Sequence, residues 1–282
     1  MARPPRLEIA GAVYLIGAHC SPDGGQLAFA DEADRAEMRS VLAQALQRFD
    51  AQLLAYALLP DHYHLLLFTR RPNLSQLMRH VNGVYTQHHQ RRHGLAGPLF
   101  QGRFHAVLVD RERHLLDACR YIDLNPVRLG LVRHPADWPG SSFRALAGLE
   151  PAPQWLDAEG LHQFLLARTG LTPAQRRQAG ERYARAVMAE PGLQLWPGRL
   201  RQQIFLGDAA FAARMRAAAA APRRPARPGG FAEWLRRAGG IREQALWLAH
   251  TEGGVAMTDL AAQLGLSVSR VSRLIALAER AQ

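Results

Sequence analysis

"LLPDHYHLLLF" runs from Leu58 to Phe68, and its reading decides the fold. The apolar residues after His64 are too few for a membrane span and suit a strand buried on both faces. "AQLLAYALL" (Ala51 to Leu59) precedes it and ends at Pro60-Asp61, a turn signal. The two runs therefore read as a hairpin-like pair of strands. Residues i and i+2 of a strand share a face. His62 and His64 then project side by side, with Tyr63 on the opposite face. Cβ atoms about 7 Å apart let two imidazoles converge on one cation.

Outward from this pair the chain alternates its periods. "GAVYLIGAHC" (Gly11 to Cys20) is rich in strand formers and stops at "SPDGG", a turn. "DEADRAEMRSVLAQALQRFD" (Asp31 to Asp50) sets Met38, Val41, Leu42, Ala45, Leu46 and Phe49 at helical spacing, with acids in the first turn. "NLSQLMRHVNGVYTQHHQRRHG" (Asn73 to Gly94) predicts a second helix, capped by Asn73 and ended by Gly94. "FHAVLV" (Phe104 to Val109) is a further strand. "RERHLLDACRYIDLN" (Arg111 to Asn125) is a third helix, halted by Pro126. The order β-α-β-β-α-β-α predicts an α+β fold, a small, largely antiparallel sheet with helices on one face.

Beyond Arg133 the pattern turns mostly helical. Residues 146–220 read as a helical connector, and "APRRPARPGG" (Ala221 to Gly230) as a linker without apolar period. In residues 231–282, Met257, Leu260 and Leu264 form one helical stripe, Gly265 breaks it, and Ser267 caps a helix carrying Val271, Leu274 and Ile275. This is a helix-turn-helix pattern. Ser267, Ser269, Arg270 and Arg273 would face a groove of duplex DNA.

The chain has 282 residues, 48% of them hydrophobic. No apolar run approaches the ~18 residues of a membrane span, so no membrane partner is expected. "MARPPRLEIAG" lacks the apolar core of a secretory signal. Cys20 and Cys119 are too few for a disulfide framework and fit a reduced, cytoplasmic setting. Formal net charge is +11, and every one of the 35 basic residues is Arg. Between Arg70 and Arg133 stand eleven Arg against Asp110, Glu112, Asp117 and Asp123, a local surplus of +7. Such a concentration is the footprint of a polyanion partner.

Two histidines do not complete a metal site. Two helices offer the remainder, each pairing a tyrosine with a donor at i, i+4: Tyr85 with His89, and Tyr121 with Asn125. Softness favours His89 as a ligand. The nearby Arg111, Arg113, Arg120 and Arg128 favour Tyr121 as a nucleophile toward phosphate. Spacing leaves both open. Phe100, Phe104 and Trp138 are candidates for stacking on bases.

Residues 8–145 resemble the HUH single-tyrosine transposases, most closely the REP-associated tyrosine transposases. The resemblance rests on "LLPDHYHLLL", "NLSQLMRHVNGVYTQHHQRRHG", "GPLFQGRFHAVLV", "YIDLNPVRLGLV" and "DWPGSSFRAL", five ordered blocks over about half the chain. It implies a ferredoxin-like HUH domain in which His62, His64 and Asn125 hold Mg²⁺ or Mn²⁺ and Tyr121 is the catalytic nucleophile. It implies nicking and rejoining of single-stranded or hairpin DNA at REP-like repeats. The basic surplus puts Arg103, Arg111, Arg113, Arg120 and Arg128 forward as DNA contacts, and a monomer or homodimer is expected. Two positions depart from the family. "LIGAH" (Leu15 to His19) replaces a His-Val-Thr-x-Arg run on the first strand, and Asp61 stands where Asn is common. The competing readings are a non-catalytic DNA-binding regulator and a metal-dependent hydrolase that leaves no protein–DNA adduct.

Overall fold

The first strand, β1 (Ala12–His19), is buried along nearly its whole length, which explains its unbroken apolar sequence. The computed structural model describes residues 7–20, 26–189, 200–220, 230–251, 253, 255 and 257–280. The expected turn at 21–25 and linker at 221–229 lie outside the described residues. The chain divides into two compact units, residues 1–219 and 220–282.

In the first unit, β1 is followed by α1 (Glu32–Phe49), β2 (Ala51–Leu59), β3 (His62–Thr69), α2 (Leu74–His93), β4 (His105–Val109) and α3 (Arg111–Asp123). Asp31 caps α1 by accepting from the Asp34 amide, and Glu32 and Asp34 supply negative charge at its start. Gly94 closes α2 in the left-handed conformation. Asn73 sits at the N-cap position of α2 but does not cap it, contrary to expectation. Its side-chain amide donates to the Phe49 carbonyl at 2.8 Å, and Glu8 accepts from the Ser75 amide at 2.7 Å instead. Sequence spacing sees only local caps, and here the acceptor comes from a distant segment.

Pro126 also acts differently from expectation. α3 ends at Asp123, and helical backbone resumes in α4 (Asn125–Arg128) with Pro126 in its first turn. A proline is tolerated there because that amide has no helical partner to lose. α5 (Phe143–Leu146), α6 (Ala158–Leu166), α7 (Pro173–Met188), β5 (Leu200–Arg201), β6 (Phe205–Leu206) and α8 (Ala209–Ala220) complete this unit.

The sheet has six strands in the order β2-β3-β1-β4-β6-β5. All pairings are antiparallel except β4 with β6. The fold is therefore α+β, with a mixed sheet larger than the one read from sequence. β5 and β6 have two residues each, too short to show a period, and they fall in the stretch expected to be mostly helical.

The expectation of helices on one face is corrected. Tyr63 donates from its hydroxyl to Asn82 of α2, while its neighbour His64 meets Tyr121 of α3. Adjacent strand residues point oppositely, so α2, with α1 packed on it, covers one face and α3 the other. The β-α-β-β-α-β order carries no record of which face a later helix takes.

α3 is anchored beneath by a buried carboxylate. Asp123 accepts from Ser142 Oγ at 2.9 Å and from the Tyr183 hydroxyl of α7. Burial pushes its carboxyl up to about 7. Asp123→Ala strands the Tyr183 hydroxyl away from water, while Ser142 Oγ keeps the Tyr56 backbone as partner, at a cost of about 1–3 kcal/mol. Urea denaturation will show that loss, with Asp123→Asn retaining most of the stability; a loss below about 1 kcal/mol in the alanine variant contradicts the anchor.

In the second unit, α9 (Phe231–Arg237), α10 (Arg242–Thr251), α11 (Met257–Leu264) and α12 (Val268–Arg280) surround Leu246, Ala249, Leu260, Ala261, Val271 and Ile275. Gly265 adopts φ +63° between α11 and α12, and Ser267 Oγ accepts from the Arg270 amide at 3.3 Å.

Candidate active site

The strand register assembles the histidines. β1 and β3 run antiparallel with His19 opposite His62 and Gly17 opposite His64. Directly opposed residues share a face, so three imidazoles meet. The His19 and His62 rings stack with centroids 4.5 Å apart; His62 and His64 stand at 5.2 Å, and His19 and His64 at 6.4 Å. His19 was not singled out as a ligand from sequence. Its signal lies in pairing, which becomes visible only once β1 is laid antiparallel to β3.

Gly17 makes room for this cluster. A Cβ at that position would lie 3.1 Å from His64 Nδ1, so the ring rests on bare backbone. Gly17→Ala should displace the His64 ring with little effect on the fold. The measurable result is weaker divalent-cation binding by calorimetry beside an unchanged far-ultraviolet dichroism spectrum.

The electrostatics keep the His64 and His19 rings neutral. Burial, with the neighbouring His62, His19 and Arg128 charges, lowers His64 to about 3. Burial and His62 also lower His19. A neutral imidazole offers a lone pair. Asp61 accepts from His62 Nδ1 at 2.7 Å, which leaves Nε2 as that ring's free donor atom. Asp61 is thus more than a turn residue. His19, Asp61 and His62 bring ligand atoms within 4.8 Å of one another, and the set fits a divalent cation.

α3 brings Tyr121 onto this cluster. Its ring lies edge-to-face on His64 with centroids 5.4 Å apart. The Arg128 guanidinium sits 4.4 Å from the centre of the Tyr121 ring and donates to the Tyr121 carbonyl. Asn125 follows one turn later, buried at the start of α4. Tyr85 and His89 belong to α2, beneath the other face of the sheet. The Tyr85 hydroxyl donates to the Ala28 carbonyl.

The arginines divide by environment. Arg103 and Arg111 are exposed, Arg111 5.9 Å from the Phe68 ring. Arg113 is paired with Asp208 on the surface. Arg120 is 8% exposed and 3.5 Å from Asp117, and its charge reaches Tyr183 of α7. Its expected place on an open DNA-facing surface is corrected, because α7 covers that flank of α3. Phe100 and Phe104 are likewise buried in the core, and Trp138 is partly buried, donating to the Leu58 carbonyl at 3.1 Å. In the second unit Ser267, Ser269, Arg270 and Arg273 are all exposed around the start of α12.

Residues 26–125, which include His62, His64, Tyr121 and Asn125, match the family model for IS200-like transposases. A Haemophilus influenzae protein named as a REP-associated tyrosine transposase is 29% identical over 118 residues, 38% of this chain and 67% of that protein. A solved REP-associated tyrosine transposase bound to a REP hairpin aligns with 23% identity and a TM-score of 0.46, over 56% of this chain and 94% of that one. The matched residues begin after β1, so His19 is contributed from outside them. No helix among the described residues is long and apolar enough to cross a membrane.

Proposed function

We propose that this chain nicks and rejoins single-stranded DNA beside hairpin-forming, REP-like repeats through a covalent Tyr121–DNA intermediate. The observation that carries the reading is the Tyr121 ring against His64 within the three-imidazole cluster. The name of the Haemophilus influenzae relative supports the repeat-associated substrate.

His62, His64 and Asn125 are the proposed ligands of Mg²⁺ or Mn²⁺, with His19 and Asp61 beside them. When bound, the cation supplies Lewis-acid polarisation of the scissile phosphate. Asp61 holds His62 with Nε2 available. Arg128 places positive charge over the phenol ring, beside the charge that moves as the Tyr121 oxygen attacks. The Tyr121 oxygen forms a bond to phosphorus as the 3′ oxygen departs and takes up a proton. The phenol proton passes to solvent. A 3′ hydroxyl from another strand reverses the exchange, so rejoining needs no external energy source. Arg103 and Arg111, with Arg113 and Arg128, are proposed to follow the phosphate backbone.

For the second unit we propose duplex binding by the α11–turn–α12 pair, with Ser269, Arg270 and Arg273 toward the groove. The assignment makes the chain a cytoplasmic DNA strand transferase, acting as a monomer or homodimer. The test of the activity is a denaturing gel of a labelled hairpin oligonucleotide incubated with the protein and Mn²⁺. A cation-dependent band at protein-plus-DNA mass is expected. Cleavage without such a band would indicate water as the nucleophile, and binding without cleavage would indicate a regulator.

A further inference from the structure

A second cluster of metal-competent side chains lies on the opposite face of the sheet. The end of α2 reads "HHQRRH" (His88 to His93). His89 and His93 are four residues apart and share a helix face, with ring centroids at 4.3 Å. Asp34, in the first turn of α1, faces them. Its two oxygens lie 2.9 and 3.1 Å from His93 Nε2. Ligand atoms of Asp34, His89 and His93 all fall within 4.8 Å of one another.

Two of these groups are deeply buried, Asp34 at 2% and His89 at 3% exposure. His89 bonds from Nε2 to the Leu27 carbonyl at 3.0 Å, which fixes that nitrogen as the donor and Nδ1 as the lone pair. Nδ1 is buried and has no hydrogen-bond partner among the described residues. An orphaned buried nitrogen is costly and calls for an occupant. Burial lowers His89, which keeps the ring neutral. Burial alone would raise Asp34, but hydrogen bonds from His93 and Arg92 outweigh it and hold the carboxylate ionised.

Arg92 is the competing cation. It touches Asp34, yet its fork to Asp31, at 2.9 and 2.6 Å, is complete without Asp34. Asp34 can therefore be given to a metal while Arg92 stays paired. A cavity of about 410 Å³ lined by Asp34, Glu37, Tyr85 and His89 leaves space for a solvent ligand.

We infer that Asp34, His89 and His93 form a second metal site, for a divalent transition ion of the zinc class, that ties the start of α1 to the end of α2. Two imidazoles and one carboxylate, with a fourth position open to water, are an ordinary donor set for such an ion. The site braces the helical layer that covers the Tyr63 face. Tyr121 lies under the other face, so the inference does not depend on the strand-transfer reading.

Metal-free full-length protein is titrated with Zn²⁺ by calorimetry and with Co²⁺ by visible absorption. His93→Gln and His89→Gln should each lose this binding event, with affinity falling by more than the roughly 10–100-fold that loss of an outer-shell partner costs. The double variant His62→Ala/His64→Ala should keep it, which separates this site from the other cluster. Zn²⁺ should also raise the melting temperature of that double variant, and not when His93→Gln is added. Anomalous scattering at the zinc edge, which needs no variant, should place an ion among Asp34, His89 and His93. Zinc binding unaffected by both glutamine variants, or a zinc-soaked crystal with no peak there, would overturn the site.

Discussion

Tyr121→Phe will still bind a hairpin oligonucleotide and will form no covalent adduct. The substitution removes one oxygen and leaves the ring that lies on His64 and under Arg128. Tyr121 is only partly buried, so the change should cost the fold less than about 1 kcal/mol. Loss of a nucleophile is a loss of the whole chemical step, here a fall in cleavage on the order of 10⁴-fold or more. Affinity measured by fluorescence anisotropy should stay within a few-fold, since the proposed phosphate contacts come from arginines. Adduct formation by the phenylalanine variant would reassign the nucleophile.

The second large effect is at His64. His64→Ala should lower cleavage by about 10²–10³-fold, the several kcal/mol that a Lewis acid contributes to the transition state. Hairpin binding should be little changed. His64 is buried yet neutral, sits on the bare backbone of Gly17, and touches both His62 and Tyr121. A chelator should reduce the unaltered protein to the same level and leave the alanine variant where it is. Equal loss of binding and cleavage would show that His64 serves the fold rather than the chemistry.

The strand pair around Pro60-Asp61 was legible because period-2 geometry puts His62 and His64 on one face whatever surrounds them. The helices were legible from apolar spacing, and Gly94 ends α2 as its backbone freedom requires. What escaped depends on contacts between distant segments. His19 becomes a neighbour of His62 only through the β1–β3 register. Asn73 lost its capping role to Glu8, which lies 67 residues from Ser75. Arg120 looked like a surface charge until α7 was folded over it. The choice between the Tyr85 and Tyr121 helices was likewise beyond spacing, because it turns on which face of the sheet each helix covers. Structure places Tyr85 with the buried Ala28 carbonyl and Tyr121 with His64.

The central claim is that the phenolic oxygen of Tyr121 becomes bonded to DNA. Trypsin digestion of the covalent complex, after nuclease trimming, isolates the peptide Tyr121 to Arg128, "YIDLNPVR", since arginines precede and end it. Mass spectrometry should find this peptide carrying a nucleotide through a phosphodiester on Tyr121. A nucleotide on any other side chain, or an unmodified Tyr121 peptide from a complex that has cleaved its DNA, would contradict the account.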